Sequence, residues 1–314
     1  MLTRRHIRIK IIQSVYSFSL DKGRKIDDQI LFFNKSILET YNLYLLMLSL
    51  FKELKIYSKE QLLAYEKNSI TKDENYLGIN CLAKNKFLDF FDNHAALESQ
   101  IKNKNFINWD LEFKFIKRLV LKIIKSENFK KYSLIKSPKL EDCQDSFISL
   151  FKDIIAPSSY LYNYLEDQNL YWIADLPLVN TFLLKMFKNF DIKDSKSLKF
   201  PQPKQQEEDL KFGVKLLKIV ISKSSELHNE IKGKTPNWDP ERIAFIDKVI
   251  LRTAIAELLH FEDIPAKVTL NEYLEIAKDY STPNSNNFVN GVLDKLVKDF
   301  KNENRLMKTG RGLL

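Results

Sequence analysis

Apolar residues recur at three- and four-residue spacing along most of this chain. Ile7, Ile11, Val15 and Phe18 form one stripe over residues 2–20, the pattern of an amphipathic helix. Arg5, Ile9, Gln13 and Tyr16 fall on a second face of that helix, which carries a charge, an amide and a phenol in a row. Gly23 is placed to end it. Residues 26–57 repeat the pattern through Ile30, Phe33, Ile37, Tyr41, Tyr44, Leu48 and Phe51. The polar stretch "KNSITKDENYLGIN" reads as a loop, followed by helical blocks over 81–101 and 106–126. "KSPKLEDCQDS" (136–146) reads as a connector, and a helix over 146–155 stops before Pro157. One or two further helices reach residue 190, with Pro177 either breaking them or starting the second.

The polar segment "DIKDSKSLKFPQPKQQEED" (191–209) carries two prolines and separates two strongly periodic regions, which marks a boundary. Beyond it, Leu210, Val214, Leu217, Val220, Leu227 and Ile231 predict a long helix ending at Gly233. In "NWDPERI", Asp239 can cap a helix whose first position suits Pro240. Ile243, Ile246, Ile250, Ala254 and Leu258 supply that helix's buried face, and "DIP" (263–265) breaks it. A shorter helix is expected over 270–280 and a last one over 285–300, with a broad apolar face from Phe288 to Phe300. Gly291 lies inside that last helix, where glycine costs about 1 kcal/mol against alanine. A close helix–helix approach is the expected reason.

Composition supports an all-helical reading. Glycine occurs 7 times in 314 residues and no proline precedes Pro138, which disfavours phosphate-cradling loops and tight hairpins. The net charge is +9. Within residues 1–25, Arg4, Arg5, Arg8, Lys10, Lys22, Arg24 and Lys25 stand against Asp21 alone, and the tail 301–314 is also basic. Charge this local is the footprint of a polyanion site or of a solvated helix end, and composition leaves both open. Cys81 and Cys143 have no metal or redox spacing and fit a reducing cytosol. His6, His94, His228 and His260 lack ligand spacing, and no nucleotide-binding or nucleophile motif is present. Glu257, inside an apolar helix, is expected to pair with a neighbouring cation such as Arg252 or with a capping backbone group. The longest apolar run, residues 43–51, is far below a membrane span. The expectation is a cytoplasmic, non-enzymatic protein without cofactor, metal or membrane contact.

Four segments carry a family resemblance. "RRHIRIKIIQSVYSF" resembles the first helix of the NusB family of transcription antitermination proteins. "VILRTAIAELL", "DIPAKVTLNEYLEIAK" and "NNFVNGVLDK" resemble that family's C-terminal half, in order and spacing. The likeness covers about residues 1–25 and 205–300, so the chain resembles a long form with a large helical insertion. It implies an all-α fold of packed helical bundles, the first helix lying on the C-terminal helices. The segmentation expected is 1–25 for the basic helix, 26–200 for the insertion and 201–314 for the C-terminal helices and basic tail. The insertion is expected to extend the helical core.

The resemblance also implies a bacterial RNA-binding function. It points to single-stranded boxA-type RNA in ribosomal RNA leader transcripts, a small-subunit ribosomal protein (NusE) as partner, the RNA polymerase antitermination complex, and support of ribosome biogenesis. Arg4, Arg5 and Arg8 stand at the family's RNA-contacting arginines, with His6 where a further arginine often occurs. Gln13 and Tyr16 match its glutamine and tyrosine, Phe288 an aromatic near the RNA path, and Asn284 a loop position often acidic in relatives. Two other readings use the same residues. One is the accessory RNA-binding domain found in some ribosomal RNA cytosine methyltransferases, here without a Gly-rich cofactor domain. The other is a generic basic module for DNA or a membrane surface.

Overall fold

The computed structural model describes residues 2–21, 23–67, 75–92, 94–102, 109, 112–191, 207–234 and 243–313. Its helices are α1 (Arg4–Leu20), α2 (Ile26–Lys67), α3 (Tyr76–Ala83), α4 (Asp89–Asp92), α5 (Ala95–Lys102), α6 (Phe113–Ile124), α7 (Glu127–Ser133), α8 (Leu140–Leu150), α9 (Ser159–Gln168), α10 (Leu170–Asn189), α11 (Glu207–Ser222), α12 (Ser224–Ile231), α13 (Phe245–His260), α14 (Ala266–Tyr280) and α15 (Ser285–Asn302). No strand occurs among the described residues. The chain divides into two compact units, Met1–Ile37 with Gln202–Leu314, and Leu38–Pro201. The division falls inside the continuous helix α2.

In the first unit, α1 lies against α11 and α13, α13 against α14, and α14 against α15. Ile7, Ile11 and Val15 are buried, so the stripe on α1 meets helices some two hundred residues away in sequence. The expected single helix over 210–231 is two, α11 and α12. Arg252 Nη1 donates to Ser224 Oγ at 2.7 Å, which ties the first residue of α12 to α13. The proposed cap at Asp239 and Pro240 lies outside the described residues, as does most of the 191–209 boundary.

The second unit is built on an aromatic core. Phe51 makes edge-on contacts with Phe91, Phe147, Phe151 and Phe187 at ring-centre distances of 5.7, 5.1, 5.8 and 5.5 Å, the geometry that aligns ring edge with ring face. The expected helix over 81–101 is interrupted because the Asn85 carbonyl Oδ1 accepts from the backbone N–H of Phe87 and of Leu88, a local alternative to the helical ladder. Lys55 Nζ donates to the Asn85 carbonyl at 2.8 Å and lies 2.9 Å from Asp89. The connector read at 136–146 is half helical: Lys139 N–H donates to Asp142 Oδ2 at 2.8 Å, which starts α8. A π turn, Phe151–Ile155, then extends α8 to Pro157. Pro177 sits inside α10 rather than at its boundary. That helix is long and apolar enough by length and composition to cross a membrane, yet Leu176, Val179, Leu183 and Phe187 are buried within the unit.

Two glycines separate packing from propensity. A Cβ on Gly213 would overlap the Phe33 ring and come within 2.9 Å of Ile7 Cγ2, so α11 can approach α1 and α2 only without a side chain. Gly291 has nothing within 4 Å of its Cβ position. The close approach expected there is absent, because the position points away from the helices α15 packs on. Gly213→Ala is therefore expected to destabilise by about 1–3 kcal/mol through overpacking. Gly291→Ala should stabilise by about 0.5–1 kcal/mol. Urea unfolding of the two variants beside the wild type checks the opposite signs.

Candidate nucleic-acid interface

The basic end of α1 is organised by one buried carboxylate. Glu257, on α13, is fully buried. It accepts from Arg8 Nε and Nη2, both at 2.8 Å, from Thr269 Oγ1 at 2.8 Å and from Tyr273 OH at 3.1 Å. Both donors of a planar guanidinium fork meet both oxygens, and the remaining acceptor sites take hydroxyls from α14. Burial disfavours the charged form of Arg8, but its bonds to Glu257 outweigh that and raise its pKa above the ordinary value. Burial and the facing carboxylate push the Tyr273 phenol up.

Arg252, the partner expected for Glu257, does not reach it. Its Nε donates to the Lys248 carbonyl at 3.2 Å and its Nη1 to Ser224. Burial lowers its pKa. The cation that meets Glu257 comes from α1, 249 residues away in sequence.

One helical turn before Arg8, Arg4 and Arg5 emerge at the rim of a cleft of about 700 Å³, which Asp263, Ile264, Pro265, Val268 and Glu272 also line. Arg5 Nε and Nη2 donate to the two oxygens of Glu272, both at 2.9 Å. Arg4 Nε donates to Asp209 Oδ1 at 3.0 Å, and its guanidinium lies over the Phe212 ring at 5.4 Å from the centroid. Both arginines remain partly exposed, at 43% and 40% of their side chains. His6 serves the helix start: its Nδ1 accepts from the Thr3 backbone N–H at 3.0 Å and lies 2.9 Å from Thr3 Oγ1.

The other expected site residues are spread over the unit. Gln13 is half-buried further along α1. Tyr16 is exposed at 37% and makes an edge contact with the partly exposed Phe245, ring centres 5.2 Å apart. Asn284 is exposed just before α15. Arg8 and Phe288, both expected at an RNA surface, are each only 3% exposed. Arg8 is held by Glu257, and Phe288 belongs to the apolar face with which α15 packs. As they stand, neither presents its side chain to a polyanion. Asp209, Phe212, Glu257, Thr269, Glu272 and Tyr273 were not anticipated as parts of this site. The spacing of Thr269, Glu272 and Tyr273 in "TLNEY" puts three polar groups on one face of α14, a signal that could have pointed to them. Among the described residues, no group of three or more His, Cys, Asp or Glu could hold a metal ion.

Removing one partner of a buried pair leaves the other charge uncompensated, at a typical cost of about 3–5 kcal/mol. Arg8→Ala is expected to lose about that much stability in urea unfolding. The double variant Arg8→Met with Glu257→Leu should regain much of it. At Glu272, the bond from Arg5 outweighs burial and holds the carboxyl below its ordinary range. Its stabilising contribution is therefore complete above the ordinary carboxylate pKa and is lost as pH falls through the lowered value. Glu272→Gln should flatten that part of the acid stability profile, measured by urea midpoints across pH.

Comparison with known proteins places a likeness on the helices that α1 packs against, not on α1 itself. Residues 180–298 match the model of the NusB family. Three relatives named transcription antitermination protein NusB align with the chain. The one from Salinibacter ruber is 46% identical over 103 residues, covering 33% of this chain and 64% of the relative. That from Chloroherpeton thalassium is 44% identical over 103 residues, 33% of this chain and 49% of the relative. That from Pseudothermotoga lettingae is 52% identical over 69 residues, 22% of this chain and 49% of the relative. The alignments thus span about half to two-thirds of the relatives' own length. The family-model match takes in α11 to α14 and most of α15.

Proposed function

We propose, from the match of residues 180–298 to the NusB family model, that this protein is an RNA-binding transcription antitermination factor. Its ligand in this reading is single-stranded, boxA-type RNA of ribosomal RNA leaders. It acts with a small-subunit ribosomal protein (NusE) in the RNA polymerase antitermination complex, and it also supports ribosome biogenesis. The observation that carries the reading is the pair Arg4 and Arg5, set at a cleft rim by the anchored Arg8, on the face of α1 that meets the family region. Their present partners, Asp209 and Glu272, are half-buried carboxylates, so a phosphate takes either guanidinium by exchange with its present partner.

The roles divide by exposure. Arg4 and Arg5 bond phosphate bidentately. Gln13, Tyr16 and Asn284 offer polar or aromatic contacts to bases, as single-stranded RNA is commonly read. Arg8 and Phe288 position these groups from within the core. Segment 26–200, by this reading, is an addition to the family's helical core.

Arg4→Ala with Arg5→Ala removes two phosphate contacts. Each contributes a slope of about 0.7 in log K against log salt on single strands, so the slope should become shallower by about 1.4. The measurement is a salt titration of a leader ribosomal RNA fragment, with and without the small-subunit ribosomal protein. An unchanged slope with the fold intact would reduce the two arginines to a solvated helix end.

A further inference from the structure

Helix α6, in the second unit, has two sharply different faces. Phe115, Ile116, Leu119, Val120, Ile123 and Ile124 are buried, while Lys114, Lys117, Arg118, Lys122 and the capping Lys125 are exposed. Lys114, Arg118, Lys122 and Lys125 recur at spacings of four, four and three, which makes one stripe about 16 Å long at 1.5 Å per residue. Over residues 113–139 nine basic side chains stand against Glu127 alone. Among the described residues, none of the five α6 cations lies within ion-pair distance of a carboxylate. The three N-terminal arginines of the first unit are each bonded to one.

An aromatic platform accompanies the stripe. The Arg118 guanidinium lies over the Tyr160 ring at 4.3 Å from its centroid. Tyr160, on α9, is 37% exposed and stacks on buried Phe115 with ring centres 4.9 Å apart and planes 15° from parallel. Phe113, beside Lys114, is 49% exposed. Cations that track a backbone, interleaved with accessible ring faces, are what unpaired nucleotides use. Paired bases would leave the rings idle. A bilayer needs the apolar face of a basic helix to insert, and the apolar face of α6 is already spent on the unit's core.

We propose that the α6 stripe with Tyr160 is a second binding surface for single-stranded RNA, tolerant of sequence and carried by the segment outside the family region. It rests on the second unit alone and does not require the function proposed for the first.

The test uses the full chain and a fluorescein-labelled, mixed-sequence single-stranded RNA oligonucleotide, followed by anisotropy across salt. Lys114→Gln, Arg118→Gln and Lys122→Gln together should make the slope shallower by about 2 and weaken binding roughly tenfold at physiological salt. The same loss should appear in the Arg4→Ala, Arg5→Ala background, which separates the two surfaces. Tyr160→Leu should weaken binding several-fold with the slope nearly unchanged, since stacking releases no counterions. Circular dichroism melting confirms that each variant folds, and the glutamine triple, all on the surface, stands as the test if Tyr160→Leu does not. Duplex RNA of the same length should lose less than the single strand. Unchanged single-strand binding in the glutamine triple overturns the proposal. So does an equal loss for the duplex. So does sedimentation with phosphatidylcholine–phosphatidylserine vesicles, or capture of an acidic polypeptide such as polyglutamate, that depends on these residues while RNA binding does not.

Discussion

The Glu257 carboxylate is the point on which the first unit turns. It is fully buried and receives four hydrogen bonds from three side chains on two other helices. A buried charge is tolerable only when paired and fully bonded, so α1, α13 and α14 must meet in one register or leave an uncompensated ion. The apolar stripe of α1 could slide along its neighbours at modest cost. The Arg8 fork cannot. Once Arg8 is placed, helix geometry puts Arg4 and Arg5 on the same side one turn earlier, at the cleft rim. The anchoring of the fold and the presentation of its basic end are therefore one arrangement.

The two units treat positive charge differently. In the first, each N-terminal arginine faces a carboxylate, and binding of an anion there is an exchange of partners. An exchange favours ligands that offer planar, bidentate oxygens and penalises diffuse attraction. In the second unit the α6 cations have no such partners among the described residues, and the field of exposed cations falls off over a Debye length of about 8 Å at physiological ionic strength. The first arrangement suits selectivity and the second suits capture. Three of the N-terminal cations that first draw attention are thus matched by carboxylates, whereas no carboxylate among the described residues pairs with the cations of α6.

The second unit, most of which precedes the family match, sustains its own core. Its centre is a cluster of phenylalanines in edge-on contact, and several of its buried polar groups bond to one another within the unit. Lys55 finds the Asn85 carbonyl, Trp109 Nε1 donates to Ser49 Oγ at 2.8 Å, and Thr40 Oγ1 donates to Asp175 Oδ2 at 2.5 Å. The match to the NusB family model begins at residue 180, within α10, and α10 belongs to this unit by compactness.

Helical periodicity, scarce glycine and the late first proline determined the all-α class, the course of α1 and α13–α15, and the burial of Ile7, Ile11 and Val15. These are properties of one helix at a time, and a 3.6-residue period suffices to read them. The short motifs carried the family likeness for the same reason, since each lies within one or two helices. Tertiary structure alone decided which cation meets Glu257. The period shows that Arg8 and Glu257 lie near apolar faces, but says nothing about which faces, 249 residues apart, come into contact. The same limit explains Phe288, whose ring closes a core, and the two glycines, of which Gly213 touches a neighbour and Gly291 touches none. It explains α6 as well. Its lysines were legible as charge, but whether carboxylates from other helices would neutralise them was settled only when the chain folded.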